Sequence, residues 1–274
     1  RLLIPAISAA ARNLAKPGET ALDLFSGTSR VGQALKTEGF AVQSNDLNAY
    51  AETLARCYVQ ADAAEHSSAA AEFLAILAEA PAVQGHFTKT WCEDSRFFHP
   101  DNGARIEGMR LRLDELKLPE PMHSIMLTSL MEAADRVDST TGLQMAYLKQ
   151  WAKRALKPLE LRLPKLLSGE GSVTRLDAVE AARQAGPVAL AYLDPPYNQH
   201  SYIGNYHVWE SLVLWDQPEV YGIACKRSDV RERKSDYNSK RRIHQAMSEL
   251  LGALDARTLL VSFNNEGFIS EDEL

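Results

Sequence analysis

The apolar positions first recur at helical spacing: Ile4, Ile7, Ala11 and Leu14 share one side, predicting a helix over residues 4–14. Beyond the turn residues Lys16-Pro17-Gly18 the pattern becomes a short apolar run, Thr20-Ala21-Leu22-Asp23-Leu24-Phe25, as a buried strand requires. Ser26-Gly27-Thr28-Ser29 follows at once, then a helix from about Arg30 to Glu38 with Val31, Ala34 and Leu35 inward and Gly39 as its stop. A second strand covers 40–46 and ends in Asp46. Residues 51–81 are Ala-rich and helical in pattern. From 83 to about 167 the period is broken by Pro100-Asp101-Asn102-Gly103, Pro119-Glu120-Pro121 and Thr140-Thr141-Gly142. That stretch is too long for a plain crossover and reads as a mainly helical insert. A third strand ends at Asp177, a helix spans 178–184, and the run Ala189-Leu190-Ala191-Tyr192-Leu193 makes a fourth strand. Two further helices carry the apolar stripes Val208, Leu212, Trp215 and Ile243, Met247, Leu250, Leu251, Leu254. A last buried strand is predicted over 258–263.

Strands alternating with helices predict an α/β, Rossmann-like fold: a mostly parallel sheet flanked by helices. The expected division is 1–60 with 171–274 as one domain, and 61–170 as an inserted helical region.

The fourth strand organises the chemistry. It stops at Asp194-Pro195-Pro196-Tyr197, because proline cannot donate to a sheet ladder. A carboxylate, a proline carbonyl and an aromatic ring are thereby held together at the carboxyl end of a strand, where open α/β sheets bind ligands. Asp194 and the Pro195 carbonyl can each accept a hydrogen bond from an amino group on a planar ring, and Tyr197 can stack on its face. The first strand, its small-residue turn and its helix form a nucleotide-binding βα unit. Gly27 would let the backbone approach a ligand, and Thr28 or Ser29 could cap the helix. Asp46, 19 residues after Gly27, stands where an acid commonly meets ribose hydroxyls, or alternatively caps a helix.

The net charge of −6 argues against a protein that coats nucleic acid indiscriminately, but not against a local basic face. Residues 226–242 hold eight Lys or Arg against three acids. Lys226, Arg227, Arg231, Lys234, Lys240 and Arg241 are candidates there for phosphate contact, with a solvated loop as the plain alternative. Lys149, Lys153, Arg154 and Lys157 recur at helical spacing in the insert; the spacing alone reads first as a solvated helix face, and as a second candidate stripe for phosphate contact, Lys149 foremost. Cys57, Cys92 and Cys225 are widely spaced, as expected of reduced thiols in a cytoplasmic protein. His200 and His207 have no nearby Cys or acid to complete a metal set, so no metal is expected. No apolar run reaches the ~20 residues of a membrane span.

In order along the chain, the pieces Leu22-Asp23-Leu24-Phe25-Ser26-Gly27-Thr28, Ser44-Asn45-Asp46 and Tyr192-Leu193-Asp194-Pro195-Pro196-Tyr197-Asn198 resemble the Dam-like DNA adenine-N6 methyltransferases. Thr141-Gly142 with Ala146-Tyr147-Leu148-Lys149, Asn205-Tyr206-His207 and Val261-Ser262-Phe263-Asn264-Asn265-Glu266-Gly267 extend the likeness over most of the chain. The resemblance implies S-adenosylmethionine as cofactor, duplex DNA as substrate, and a target-recognition insert. By the same likeness Asp23, Phe25, Gly27 and Thr28 would line the methionine end of the cofactor, Asp46 its ribose and Asp177 its adenine amino group. Asp194, Pro195, Pro196 and Tyr197 would form the catalytic loop around a flipped-out adenine. A cognate restriction endonuclease is a candidate partner, and one-base methylation needs only a monomer.

Two departures stand out. Ser29 occupies a position where the family usually has glycine, and a Gly-x-Lys segment usually lies before the position of Arg1. With the family's usual hairpin after the last strand also missing, the chain is expected to be a piece shortened at both ends. The competing readings are methylation of an RNA base or a protein amide, and a catalytically silent DNA-binding relative.

Overall fold

The computed structural model describes residues 3–264 and 267–273. Of the pieces quoted above, Asn265 and Glu266 lie outside the described residues. In chain order the helices are α1 (Ile4–Leu14), α2 (Arg30–Thr37), α3 (Ala49–Ala55), α4 (Ala63–Ala78), α5 (His86–Thr88), α6 (Pro100–Leu116), α7 (Met122–Arg136), α8 (Ala178–Ala185), α9 (Tyr202–Asn205), α10 (His207–Leu214) and α11 (Ile243–Ala253). The strands are β1 (Thr20–Asp23), β2 (Ala41–Asn45), β3 (Gly171–Thr174), β4 (Val188–Leu193), β5 (Val220–Tyr221), β6 (Lys226–Arg227) and β7 (Ala256–Val261).

The chain divides into two compact units. Unit 1 comprises 1–65, 165–201 and 234–274; unit 2 comprises 66–164 and 202–233. The boundaries thus differ from the sequence reading, which kept all of 171–274 together: residues 202–233 belong with the insert.

Unit 1 is built on a parallel five-stranded sheet in the order β3-β2-β1-β4-β7. Alternate side chains face opposite sides, so each strand feeds two cores. Leu22, Ala191 and Leu193 pack with Ala181 and Ala182 of α8 and Ile243, Met247 and Leu250 of α11. Ala21, Val42 and Leu190 pack on the other side with Ala11 and Leu35 of α1 and α2. β7 departs from expectation. As the last strand in the order it pairs only with β4, and Leu259 and Val261 stay 40% and 37% exposed.

The Ala-rich stretch expected to be helical over 51–81 begins earlier, at Ala49, and is interrupted between α3 and α4. A single wide turn, Arg56–Gln60, follows α3, and the buried Lys36 caps its end by donating to the carbonyls of Val59 (2.6 Å) and Ala61 (2.7 Å). Those carbonyls have no helical partner, so the ammonium satisfies them where water cannot reach.

In unit 2, α6 and α7 pack together, burying Ile106, Met109 and Leu113 on one and Ile125, Met126 and Leu130 on the other. Glu107 is buried because it works as an anchor. Its carboxylate accepts from the N–H groups of Gly85, Phe87 and Thr88 and from the Thr88 hydroxyl, fixing the start of α5. The adjacent Gly108 lies so close to the Pro81 carbonyl that a methyl group there would clash with it. Beyond α7 the expected helical insert becomes irregular, with one short 3-10 turn at Lys153–Leu156. Among the described residues no helix is long and apolar enough to cross a membrane.

Candidate active site

The strand order reverses direction between β1 and β4, and both sequence motifs emerge there. Asp23 is level with Tyr192 in the pairing of the two strands, so the turn after β1 and the loop after β4 leave the same edge side by side.

The turn after β1 is held from three directions. Ser26 N–H donates to the Asn45 carbonyl (2.9 Å), Gly27 N–H to Asp46 Oδ2 (2.9 Å) and Ser29 N–H to the Ser26 carbonyl (2.6 Å). Gly27 has φ +48°, and space beside its α-carbon is open to 4 Å, so a ligand could approach the backbone there. Ser29 also lies in the left-handed region, at φ 56°, and is fully buried. It precedes α2, but its hydroxyl does not cap that helix and has no hydrogen-bond partner.

Asp46 is fixed by its own neighbourhood. Oδ1 accepts from the backbone and side chain of Asn48 (2.9 and 3.0 Å), the residue that begins α3. Asp23 is 1% exposed, with Oδ2 accepting from Gly32 N–H at 2.9 Å and Oδ1 unpartnered. Burial raises its carboxyl to about 7, and Asp194 and Asp46 add to the rise while the Gly32 bond opposes it. Asp23 therefore shapes the turn from beneath rather than lining its surface. Thr28 is exposed, and Phe25 packs edge-on against Tyr237 at 5.2 Å. Asp177 caps α8 through Val179 N–H (2.9 Å).

At the other loop Pro195 is buried, while Asp194 is exposed to solvent. The protein mass around Asp194 nonetheless raises its carboxyl to about 6, with the nearby Tyr192 hydroxyl opposing the rise. Tyr197 rests edge-on against Phe263 at 6.0 Å, and its carbonyl accepts from Phe268 N–H (2.9 Å). Asn238 donates to the carbonyls of Asn198 (2.7 Å) and His200 (3.0 Å), pinning the continuation of the loop.

Two acceptors and an aromatic ring at a switch point, beside a glycine turn closed by a carboxylate, match the pattern read from the sequence. Comparison with family models extends the match: residues 1–273 fit the D12 class N6 adenine-specific DNA methyltransferase. The chain belongs to this family. It is 32% identical over 259 residues to the type II methyltransferase M.NlaIII of Neisseria lactamica, a match covering 90% of this chain and 75% of that protein. It is 30% identical to the type II methyltransferase M.FokI of Planomicrobium okeanokoites, covering 92% of this chain and 41% of that protein. It is also 28% identical to modification methylase LlaI of Lactococcus lactis subsp. lactis, covering 94% and 44%. The chain thus spans less than half the length of the last two. No solved structure matches it.

Within this D12 chain the basic candidates separate by environment. Arg227 is 3% exposed and gripped by both carboxylate oxygens of Asp216 (2.7 Å each) and by Asp229 (3.0 Å), which removes it from any phosphate surface. Arg231 lies over the Tyr221 ring at 3.7 Å. Lys226 is half-buried, while Lys234, Lys240 and Arg241 are exposed. Lys149 is exposed but not on a helix, and its presumed companion Arg154 is tied to Asp138 and to the Thr140 carbonyl. The helical stripe does not form. His207 is buried and donates Nε2–H to the Gln144 carbonyl (2.9 Å); burial lowers its pKa to about 4, so it is neutral.

One residue of consequence escaped the sequence reading. Asn45 is buried at the end of β2 and donates to the Leu24 and Leu176 carbonyls while accepting from Thr174 and from Leu176 N–H. It ties together the ends of β1, β2 and β3. The signal was a polar residue closing a buried strand just before an acid.

Proposed function

We propose that the protein transfers a methyl group from S-adenosylmethionine to the exocyclic N6 of adenine flipped out of duplex DNA. The observation that carries this is the emergence of the Gly27 turn and the Asp194 loop from adjacent strands at the switch point of the sheet.

The residues fit the cofactor. The open backbone at Gly27 would admit its amino-acid end, Asp46 would accept from its ribose, and Asp177 would meet its adenine from the start of α8. The carboxylates of Asp46 and Asp194 on one edge favour a ligand carrying positive charge. When bound, S-adenosylmethionine supplies an electrophilic methyl on a sulfonium.

The chain's own groups prepare the amine. An aromatic NH2 is a weak nucleophile because its lone pair is delocalised into the ring. Accepting its two hydrogens at Asp194 and at the Pro195 carbonyl favours a pyramidal, electron-rich nitrogen, and Tyr197 holds the base by stacking. Pro195 and Pro196 stiffen the loop, so the acceptors need not be recruited. Asp194 is also placed to take the proton that the nitrogen releases. The exposed Lys234, Lys240 and Arg241, with Lys149, are proposed to meet DNA phosphates. The three cysteines are free and buried, which supports a cytoplasmic setting.

The test is transfer of labelled methyl to unmethylated duplex DNA followed by nucleoside analysis. Label in N6-methyladenine is expected, and label only in RNA or protein would overturn the reading. Asp194→Ala should lower turnover by roughly 10²–10⁴ while cofactor binding persists.

A further inference from the structure

The basic run 226–242 includes a stretch without cations, 235–239, and that stretch touches both motifs of the site. Asp236–Asn238 forms a 3-10 turn, started by the Ser235 side chain, which accepts from Tyr237 N–H (3.3 Å). An ion pair of Arg242 with Asp236 (2.8 Å) closes the turn against the start of α11. Its last two residues meet different partners. Tyr237 is 6% exposed, packed with Leu24 just past β1 and Leu193 at the end of β4. Its hydroxyl donates to the Ala246 carbonyl on α11 (3.4 Å), and its ring meets Phe25 of the Gly27 turn edge-on.

Asn238 meets the other motif. An amide NH2 has two hydrogens, and Asn238 places one on the Asn198 carbonyl (2.7 Å) and one on the His200 carbonyl (3.0 Å). Asn198 directly follows Tyr197, and its own Oδ1 accepts from His200 N–H (3.0 Å), so the amide clamps a turn that is already bent. Pro195 and Pro196 stiffen the start of this loop but leave its far end free to swing. Those two carbonyls lie past the strand and have no ladder partner; the Asn238 amide supplies one. All of these residues belong to unit 1. We infer that Asn238 is a positioning residue, and that the turn 236–238 is a spacer between the Gly27 turn and the Asp194 loop which sets the alignment of methyl donor and target amine. The alignment rests on the proposed reaction; the clamp does not. An in-line transfer tolerates little misplacement, so a loosened loop costs rate while each ligand still binds.

The experiment is hydrogen exchange of the full chain, read at the His200 and Phe268 amides. The first is bonded to Asn198 Oδ1 and the second to the Tyr197 carbonyl, so both report on the loop. It is run on wild type, Asn238→Ala and Asn238→Asp, beside steady-state methyl transfer to duplex DNA and binding of S-adenosylmethionine. Asn238→Asp keeps the shape of the side chain, but an ionised carboxylate has no hydrogen to donate. In both variants the two amides should exchange several-fold faster, with the amides of β4 unchanged. The kcat should fall roughly 10–100-fold while the Kd for S-adenosylmethionine stays as in wild type. Unchanged exchange at both amides overturns the clamp. Faster exchange with an unchanged kcat overturns the positioning role, as does a loss of rate accompanied by an equal loss of cofactor binding or by faster exchange throughout β4. Absence of methyl transfer in the wild type counts against the proposed function, while the exchange still decides the clamp. Should one variant fail to fold, the other decides by the same criteria.

Discussion

Replacing Ser29 with glycine should make the protein more stable, although it deletes a fully buried side chain. Ser29 is held at φ 56°, where the β-carbon of an L-residue crowds the following carbonyl. Holding a non-glycine residue there costs about 1–2 kcal/mol. Its hydroxyl is buried without a partner, which adds about 1 kcal/mol. Against these gains, glycine widens the freedom of the unfolded chain, at about 0.4–1 kcal/mol. The balance is a stabilisation of about 1–2 kcal/mol. For a chain of this size that corresponds to a rise of roughly 2–4 °C in Tm. Thermal melting of wild type, Ser29→Gly and Ser29→Ala would measure it. Alanine removes the hydroxyl but keeps the crowded β-carbon, so it should gain less than glycine. If Ser29→Gly melts no higher than wild type, or if Ser29→Ala equals it, the strain argument fails.

The raised pKa of Asp23 makes stability depend on pH. The folded state keeps a proton up to about 7 that the unfolded chain releases near 3.8, so this contribution is full below 3.8 and fades as pH rises through 7. Asp23→Asn, which preserves an acceptor for Gly32, should gain over wild type in Tm as pH rises from 4.5 to 8; parallel profiles would refute this. Arg227→Gln should destabilise toward the lower end of about 3–5 kcal/mol, since both partner carboxylates reach solvent, as seen by urea unfolding. The salt dependence of DNA binding sorts the cations: Lys240→Gln should reduce the log–log slope by about 0.9, and Arg227→Gln should leave it unchanged. Gly108→Ala should destabilise unit 2 by about 1–3 kcal/mol, because the new methyl meets the backbone carbonyl of Pro81.

The parts legible in the sequence were those with a strict local cause. A strand buried on both faces is mostly apolar, and proline cannot continue it, so β4 and its terminal motif were readable, while β1 and β2 were marked by the glycine turn and the acid that follow them. β7 shares that composition, yet half of it is exposed, because position in the sheet is not a local property. Arg227 looked like any cation in a basic run; only folding brings Asp216 onto it, 11 residues away. The spacing of Lys149, Lys153, Arg154 and Lys157 suited an α-helix, but Asp138 holds Arg154 in a single short 3-10 turn instead. Asn45 reads as a polar strand end, and its partners at Thr174 and Leu176 lie about 130 residues onward.

The interleaving of the two units governs how the protein matures on the ribosome. The chain passes between them at 65/66, 164/165, 201/202 and 233/234. Unit 2 cannot close until residues 202–233 have been synthesised, by which time the Asp194 loop already exists. Unit 1 in turn waits for β7, which follows the last segment of unit 2, to complete its sheet. Neither unit is finished early and left idle while the other is made. A ribosome stalled before residue 202 therefore releases two incomplete cores, with the apolar edge of β4 uncovered and prone to strand addition.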